Sequence, residues 1–111
     1  MLFVSGAKSE RFPKAMVAGA DVVCIDLEDA VHIERKKAAR EQVLGWLSRQ
    51  QASEGQAIAV RINGLRTLEG LRDVLALNES QVRLDWFWYP RLRTPRICRR
   101  YMRGQAIVTS G

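Results

Sequence analysis

Short apolar runs alternate with longer segments of helical periodicity along most of this chain. The apolar runs, each typical of a short strand, cover residues 2–4, 22–25 and 57–62, with another beginning at Leu84. The segments with helical spacing of apolar residues are 9–17, 33–50 and a stretch that follows Thr67. Strands that alternate with helices of this length predict a parallel sheet with right-handed crossover connections.

The second and third predicted helices show this periodicity most clearly. In the second helix the apolar positions recur every four residues, at Ala39, Val43 and Leu47. Thr67 is a good N-cap residue, and the helix that follows it is predicted to be amphipathic, carrying Leu68, Leu71 and Leu75.

Charged residues stand at the carboxyl ends of two predicted strands. The second strand runs into Asp26-Leu27-Glu28-Asp29, and the third contains Arg61. Strand alternation places Cys24, Asp26 and Glu28 on one face and Val23, Ile25 and Leu27 on the other. Parallel α/β sheets bind ligands at these strand ends, so Asp26, Glu28 and Arg61 are expected to converge at one mouth.

A doubly wound sheet and a (β/α) barrel share this pattern over three units, and the pattern alone leaves both open. The residues favour a barrel slightly. Small side chains, namely Cys24, Ala57 and Ala59, occupy the face that would turn toward a narrow barrel interior.

Five motifs together resemble the beginning of citrate lyase beta subunit-like proteins of the HpcH/HpaI aldolase family. They are Leu2-Phe3-Val4-Ser5-Gly6, Arg11-Phe12-Pro13-Lys14-Ala15, Gly19-Ala20-Asp21, Asp26-Leu27-Glu28-Asp29-Ala30-Val31 and Val60-Arg61-Ile62-Asn63-Gly64. The resemblance covers about residues 2–85. Ser5 departs from it, because the family usually has proline there.

The resemblance implies an α/β fold, the N-terminal part of a (β/α)8 TIM barrel, and an Mg2+-dependent carbon–carbon lyase. Substrates typical of the family are citryl-, malyl- and citramalyl-type acyl-CoA thioesters, and some members hydrolyse such thioesters. Full-length relatives are expected to form homo-oligomers. Retro-aldol cleavage develops enolate charge, which a cation and a fixed guanidinium can stabilise.

The resemblance also implies roles for individual residues. Arg61 matches the arginine that contacts the substrate's carboxylate and carbonyl oxygens. Glu28 and Asp29 match acids in an outer shell of the metal, where they hold its water or the arginine. The direct ligands, a glutamate and an aspartate, lie on later strands in the family. No position here matches those ligands, and no catalytic residue is assigned.

Structural interpretations stand beside these functional ones. Arg61 with its neighbouring carboxylates could form an ion pair that only closes the end of a sheet. Asp26 is predicted to be structural, and Asn63 to belong to a turn. His32 is predicted to be a solvated loop residue, and Lys14 a helix-surface residue.

Charge divides the chain sharply near residue 85. The chain has a formal net charge of +6, and residues 86–111 contain six arginines, no lysine and no acid. We therefore predict two regions, a partial lyase-type barrel over 1–85 and an arginine-rich tail over 86–111. Reading Trp86-Phe87-Trp88-Tyr89 from the last base of each codon gives Val-Leu-Val, which resembles a strand of the family. This favours a frameshifted remnant as the origin of the tail.

Three units cannot close a barrel, so the chain is expected to be a truncated lyase, inactive and unstable alone. The alternative is a basic-tailed module that binds nucleic acid, an anionic membrane or a protein partner. The tail has no recognisable nucleic-acid motif, and nucleic acid is the less favoured partner. A half-barrel that pairs with a full-length relative stays open as a third interpretation.

Other sequence features narrow the class of protein. We find no signal peptide and no apolar run of transmembrane length, so no membrane association is expected. Cys24 and Cys98 are not expected to form a disulfide, which is typical of the cytoplasm. The chain has no glycine-rich phosphate loop, no metal-spaced Cys/His set and no nucleophile motif.

Overall fold

A computed structural model describes residues 1–50, 55–80, 82, 84, 86–89, 96–99 and 108–109. In the last three ranges it describes the backbone pairing. The predictions made for the arginine and aromatic side chains of the tail lie outside the described residues.

Strands and helices alternate as predicted. The strands are β1 Leu2–Ser5, β2 Val22–Asp26, β3 Ala57–Arg61, β4 Trp86–Tyr89, β5 Arg96–Arg99 and β6 Val108–Thr109. The helices are α1 Phe12–Val17, α2 Lys36–Ser48 and α3 Leu68–Ser80, and 3-10 turns at Ser9–Arg11 and Ile33–Arg35 precede α1 and α2. Pro13 lies in the first turn of α1, where its missing N–H costs nothing.

Within the part of the chain that the structure describes, these six strands form one sheet in the order β1-β2-β3-β4-β5-β6. β1, β2, β3 and β4 pair in parallel, and β5 and β6 add antiparallel pairs beyond β4. The predicted parallel sheet is therefore confirmed. In its register Ser5 lies beside Asp26, and Asp26 beside Arg61, so these three residues form one row across the strand ends.

The main core lies between the sheet and the helices. Val23, Ile25, Ile58 and Val60 are fully buried on β2 and β3. They belong to one cluster with the predicted inner positions of α2, which are Ala39, Val43 and Leu47. Two further members, Phe12 and Trp46, meet edge to face with ring centroids 5.2 Å apart. The periodic face of α2 is confirmed. On β2, Val23 and Ile25 belong to this core as one face, and Cys24 and Asp26 on the other face are buried as well.

α3 begins as predicted, but its leucines lie on the outer side. The Thr67 hydroxyl accepts a hydrogen bond from Gly70 N at 3.0 Å and so caps the helix. Leu68, Leu71 and Leu75 are 61%, 52% and 59% exposed. The buried residues of α3 are instead Gly70, Asp73 and Leu77.

Two contacts explain this rotation of α3. Asp73 pairs with buried Arg40 of α2, at 2.8 Å between Oδ1 and Nε. Gly70 packs so closely on the turn after β3 that an added Cβ would lie 2.0 Å from Gly64 O. A small residue and a buried ion pair therefore decide which face of α3 meets the sheet. Among the described residues no helix is long and apolar enough to cross a membrane.

Candidate substrate site at the strand ends

Arg61 forms a two-pronged ion pair with Asp26 on the neighbouring strand. Arg61 Nε donates to Asp26 Oδ1 at 3.0 Å, and Nη2 donates to Oδ2. Parallel pairing places the two Cα atoms side by side, which is why a planar guanidinium can meet a carboxylate with both prongs. This hydrogen bonding raises the pKa of Arg61. The guanidinium is therefore charged and fixed in direction.

Asp26 organises the loop that follows β2. Its side chain is buried and also accepts hydrogen bonds from the backbone N–H groups of Glu28, at 2.8 Å, and Ala30, at 3.2 Å. The carboxylate thus holds both the arginine and the turn that carries the next two acids. This placement agrees with the structural interpretation of Asp26.

Glu28 and Asp29 lie at the edge of the same mouth. Glu28 Oε1 is 4.0 Å from Arg61 Nε, beyond hydrogen-bonding distance, and its side chain is 25% exposed. Partial burial raises the pKa of Glu28, and a hydrogen bond that the protonated Glu28 carboxyl donates to the neighbouring Asp29 carboxylate raises it further. Two carboxyls that crowd each other in this way form a site where a cation would be favourable.

An aromatic ring and a thiol complete this face of the sheet. The guanidinium carbon of Arg61 lies 5.6 Å from the centroid of the Phe3 ring, within the range of a cation–π contact. Cys24 is fully buried one pleat below Asp26, and burial, followed by the charge of Asp26, raises the pKa of its thiol to about 12. Cys24 is thus a packing residue rather than a nucleophile.

Other residues singled out in the sequence lie at the margins. His32 is exposed, and its Nδ1 accepts a hydrogen bond from Glu34 N at 3.4 Å at the start of the turn before α2. Lys14 is exposed on α1. The Ser5 hydroxyl donates to Ala30 O at 2.8 Å, tying the loop after β1 to the acidic loop.

A lysine and a buried polar cluster that the sequence did not reveal lie beside the mouth. Lys36 begins α2, and its ammonium reaches Asn63 Oδ1 at 2.6 Å. Asn63 in turn contacts Asp73, which pairs with Arg40. The apolar spacing gave no signal for this cluster, because Arg40 and Asp73 lie outside the apolar positions that the sequence singled out on the two helices.

The described residues do not assemble a complete metal site. No group of three His, Cys, Asp or Glu side chains among them is arranged to hold a metal ion. A groove of about 210 Å3 between the loop after β1 and α2 lies away from the mouth, and neither Arg61 nor the three acids line it. The candidate site is defined by its charges rather than by an enclosed cavity.

Comparison with known proteins identifies the lineage of this arrangement. The family model described as HpcH/HpaI aldolase/citrate lyase matches residues 1–96. The chain belongs to this family. Its fold is accordingly an α/β fold of the TIM-barrel-like kind, and the predicted membership is confirmed.

Individual family members match over the same region. The chain is 35% identical over 92 residues to an L-malyl-CoA/beta-methylmalyl-CoA lyase of Cereibacter sphaeroides, covering 82% of this chain and 29% of that protein. It is 33% identical over 94 residues to the citrate lyase subunit beta of Leuconostoc mesenteroides, covering 85% and 30%.

A solved family structure shows the same likeness. CitE of Mycobacterium tuberculosis, in complex with magnesium, acetoacetate and coenzyme A, superimposes with a TM-score of 0.56 at 39% identity. The match covers 68% of this chain and 26% of that one. The chain therefore spans under a third of the length of the family members that it matches.

Proposed function

We propose that this chain forms the first part of an Mg2+-dependent carbon–carbon lyase that acts on acyl-CoA thioesters of the citryl, malyl or citramalyl type. One observation carries the proposal: Asp26 holds Arg61 with both prongs at the carboxyl end of β3, beside Glu28 and Asp29. The likeness to malyl-CoA and citrate lyases supports the choice of substrate class.

Arg61 is proposed to bind the substrate. Its side chain is 22% exposed at the mouth while Asp26 fixes its direction. A guanidinium suits the carboxylate and carbonyl oxygens of a short acyl group, because its five N–H donors lie in one plane and its charge is permanent. Holding the acyl group in one orientation also brings it to reaction geometry without further ordering.

Glu28 and Asp29 are proposed to stand in the outer shell of the magnesium ion. Their carboxylate oxygens are the hard donors that Mg2+ prefers, and their mutual crowding favours a nearby cation. Mg2+, when bound, would stabilise the enolate charge that develops on cleavage. The family resemblance places the direct ligands on later strands, and residues 86–111 of this chain contain no Asp, Glu or His.

We further propose that the 111-residue chain alone binds weakly and does not turn substrate over. The reason is the incomplete metal site among the described residues, taken with the acid-free tail. A protein that continues through the remaining barrel units would supply the missing glutamate and aspartate.

The test is a substitution of Arg61 in a full-length protein that contains residues 1–85. With malyl-CoA and citramalyl-CoA as probes, Arg61→Met is expected to lower kcat/KM about 100- to 1,000-fold, as when one stabilising donor is removed from an active site. Arg61→Lys keeps the positive charge but loses the planar arrangement of N–H donors. It should therefore recover only part of the lost kcat/KM. Arg72→Met, on the exposed side of α3, is the matched control.

Product analysis separates the two chemistries of the family. A lyase releases a shortened acyl-CoA with its thioester intact, whereas a thioesterase releases the free thiol of coenzyme A. Unchanged kcat/KM in Arg61→Met would overturn the role of Arg61. Absence of any Mg2+-dependent turnover in the unaltered full-length protein would overturn the proposed function.

A further inference from the structure

Lys36 uses its whole ammonium group to hold two loops together. The Nζ atom donates to Leu27 O at 3.1 Å, to Glu28 O at 2.9 Å and to Asn63 Oδ1 at 2.6 Å. Three acceptors match the three N–H bonds of an ammonium. Lys36 is only partly exposed at the start of α2, so this arrangement belongs to the fold rather than to a solvated surface lysine.

Asn63, one of the three acceptors of Lys36, is itself held by buried polar groups. Asn63 donates its side-chain amide and its backbone N–H to Asp73 Oδ2, at 2.7 Å and 2.9 Å. Arg40 Nε donates to the other oxygen of Asp73 at 2.8 Å. Asp73 is 1% exposed and Asn63 5%, so neither can turn without leaving a polar group unpaired in the core. The amide oxygen of Asn63 therefore faces Lys36 in a fixed direction.

The other two acceptors of Lys36 belong to the loop after β2, which contains the proposed outer-shell acids Glu28 and Asp29. Leu27 and Glu28 follow β2, and Leu27 N donates to Arg61 O at 2.9 Å. Beyond that bond, the N–H of Glu28 donates to Asp26 Oδ1, and the Lys36 ammonium joins the carbonyl of Glu28 to Asn63, two residues after β3. A charged donor shared between two carbonyls and a buried amide keeps the acid loop at one distance from Arg61.

We propose that Lys36 is a positioning residue for this site: by joining the backbone of Leu27 and Glu28 to Asn63, it holds the acid loop and Arg61 at the spacing that Mg2+-dependent ligand binding requires. The part concerning ligand binding rests on the proposed function. The part concerning the loop stands on the contacts alone. Lys36 touches neither substrate nor metal in this role.

The experiment compares three variants of the full-length protein, Lys36→Met, Lys36→Arg and the neighbouring Lys37→Met. Lys37 is exposed in the same turn of α2 and controls for loss of a positive charge. Hydrogen exchange by mass spectrometry follows the amides of residues 27–31, with the amides of β2 as an internal measure of global stability. Binding of an acyl-CoA is titrated with and without Mg2+.

Lys36→Met is expected to speed exchange of the 27–31 amides about 10-fold or more, since charged hydrogen bonds are lost, while β2 exchange stays unchanged. Mg2+-dependent affinity should fall about 10-fold, and Lys36→Arg should recover part of both effects. Lys37→Met should alter neither. A Lys36→Met protein that exchanges like the unaltered one overturns the proposal.

Faster exchange with unchanged Mg2+-dependent affinity also overturns it, because the loop would then be irrelevant to binding. If the unaltered protein shows no Mg2+-dependent acyl-CoA binding, the proposed function fails. The exchange comparison then decides alone whether Lys36 positions the acid loop.

Discussion

Asp26 and Glu28 are separated by one residue, yet their surroundings assign them different tasks. Asp26 is 3% exposed and accepts hydrogen bonds from Arg61 and from the backbone of its own loop. Glu28 is more exposed and lies beside another acid, Asp29. The first carboxylate holds Arg61 and the loop in place, and the second is the one that we propose to lie near a cation. The same residue chemistry thus acts differently because desolvation and neighbours differ.

Glu28→Gln is predicted to raise the thermal unfolding midpoint at pH 7 in the presence of EDTA. The pKa of Glu28 is raised in the folded protein by burial, then by Asp29, so its ionised form opposes folding. The contribution of Glu28 to stability is fully present below the pKa that it has in the unfolded chain. It is lost as the pH rises through the higher pKa that it has in the folded protein. The advantage of the variant should therefore shrink as the pH falls toward 4.

The control is Glu41→Gln, which removes a carboxylate from the exposed side of α2. Thermal unfolding followed by circular dichroism between pH 4 and pH 8 gives the comparison. A Glu28→Gln protein less stable than the unaltered one at pH 7 would contradict the assigned cause.

Helix α3 shows how an element can be oriented by small and polar residues rather than by its largest apolar ones. Its leucines at 68, 71 and 75 share one side, but Gly70 and Asp73 meet the core. A helix backbone can approach a turn this closely only where no Cβ intervenes. The buried carboxylate then fixes the rotation through Arg40.

Gly70→Ala is predicted to destabilise the protein by roughly 1–3 kcal/mol, the cost of overpacking a tight contact. The added Cβ would lie 2.0 Å from Gly64 O, so either the helix or the turn must move. Gly45→Ala in α2 is the matched control, because the nearest atom to its Cβ is 3.8 Å away. That control should stabilise by about 0.5–1 kcal/mol. Urea unfolding measures the free energy of unfolding of both variants. Equal changes of the same sign would refute the close packing of Gly70 on the turn.

A second comparison on α3 tests its orientation directly. Leu77→Ala removes a side chain that is 1% exposed and should cost about 2–5 kcal/mol. Leu71→Ala removes one that is 52% exposed and should change stability by less than about 0.5 kcal/mol. Denaturant unfolding gives the free energy of unfolding of the two variants. A larger loss of stability for Leu71→Ala than for Leu77→Ala would mean that α3 is rotated differently.

At the scale of the whole molecule, the chain joins a neutral first part to a strongly basic end. All twelve acids lie within residues 1–85, whereas residues 86–111 add six arginines. Parallel pairing continues from β3 into β4 at residues 86–89, and the family match runs to residue 96. The division at residue 85 remains our proposal about the origin of the tail.

Sequencing the gene from the codon for Leu84 to about 600 bases beyond tests that proposal; this length, about 200 codons, covers the rest of a barrel of about 250 residues with some margin. We expect a shifted frame that opens near Asp85 and continues into further βα units with a glutamate and an aspartate at strand ends. A gene with no such frame would make residues 86–111 genuine protein. The salt dependence of RNA binding, with and without the tail, would then be the relevant measurement.

The sequence by itself determined the alternation of strands and helices, the parallel sheet, the buried face of α2 and the charged strand ends. Those features follow from local periodicity, which a single chain displays without knowledge of its partners. The motifs around Asp26 and Arg61 also predicted the family, and the comparisons confirmed that prediction.

Only the tertiary structure decided which groups meet. It paired Arg61 closely with Asp26 rather than Glu28, turned the leucines of α3 outward and joined Lys36 to Asn63. These contacts link residues 27 to 35 positions apart, and they depend on strand register and helix rotation. Such geometry arises when the elements pack together, because no local pattern specifies how one element is turned against another.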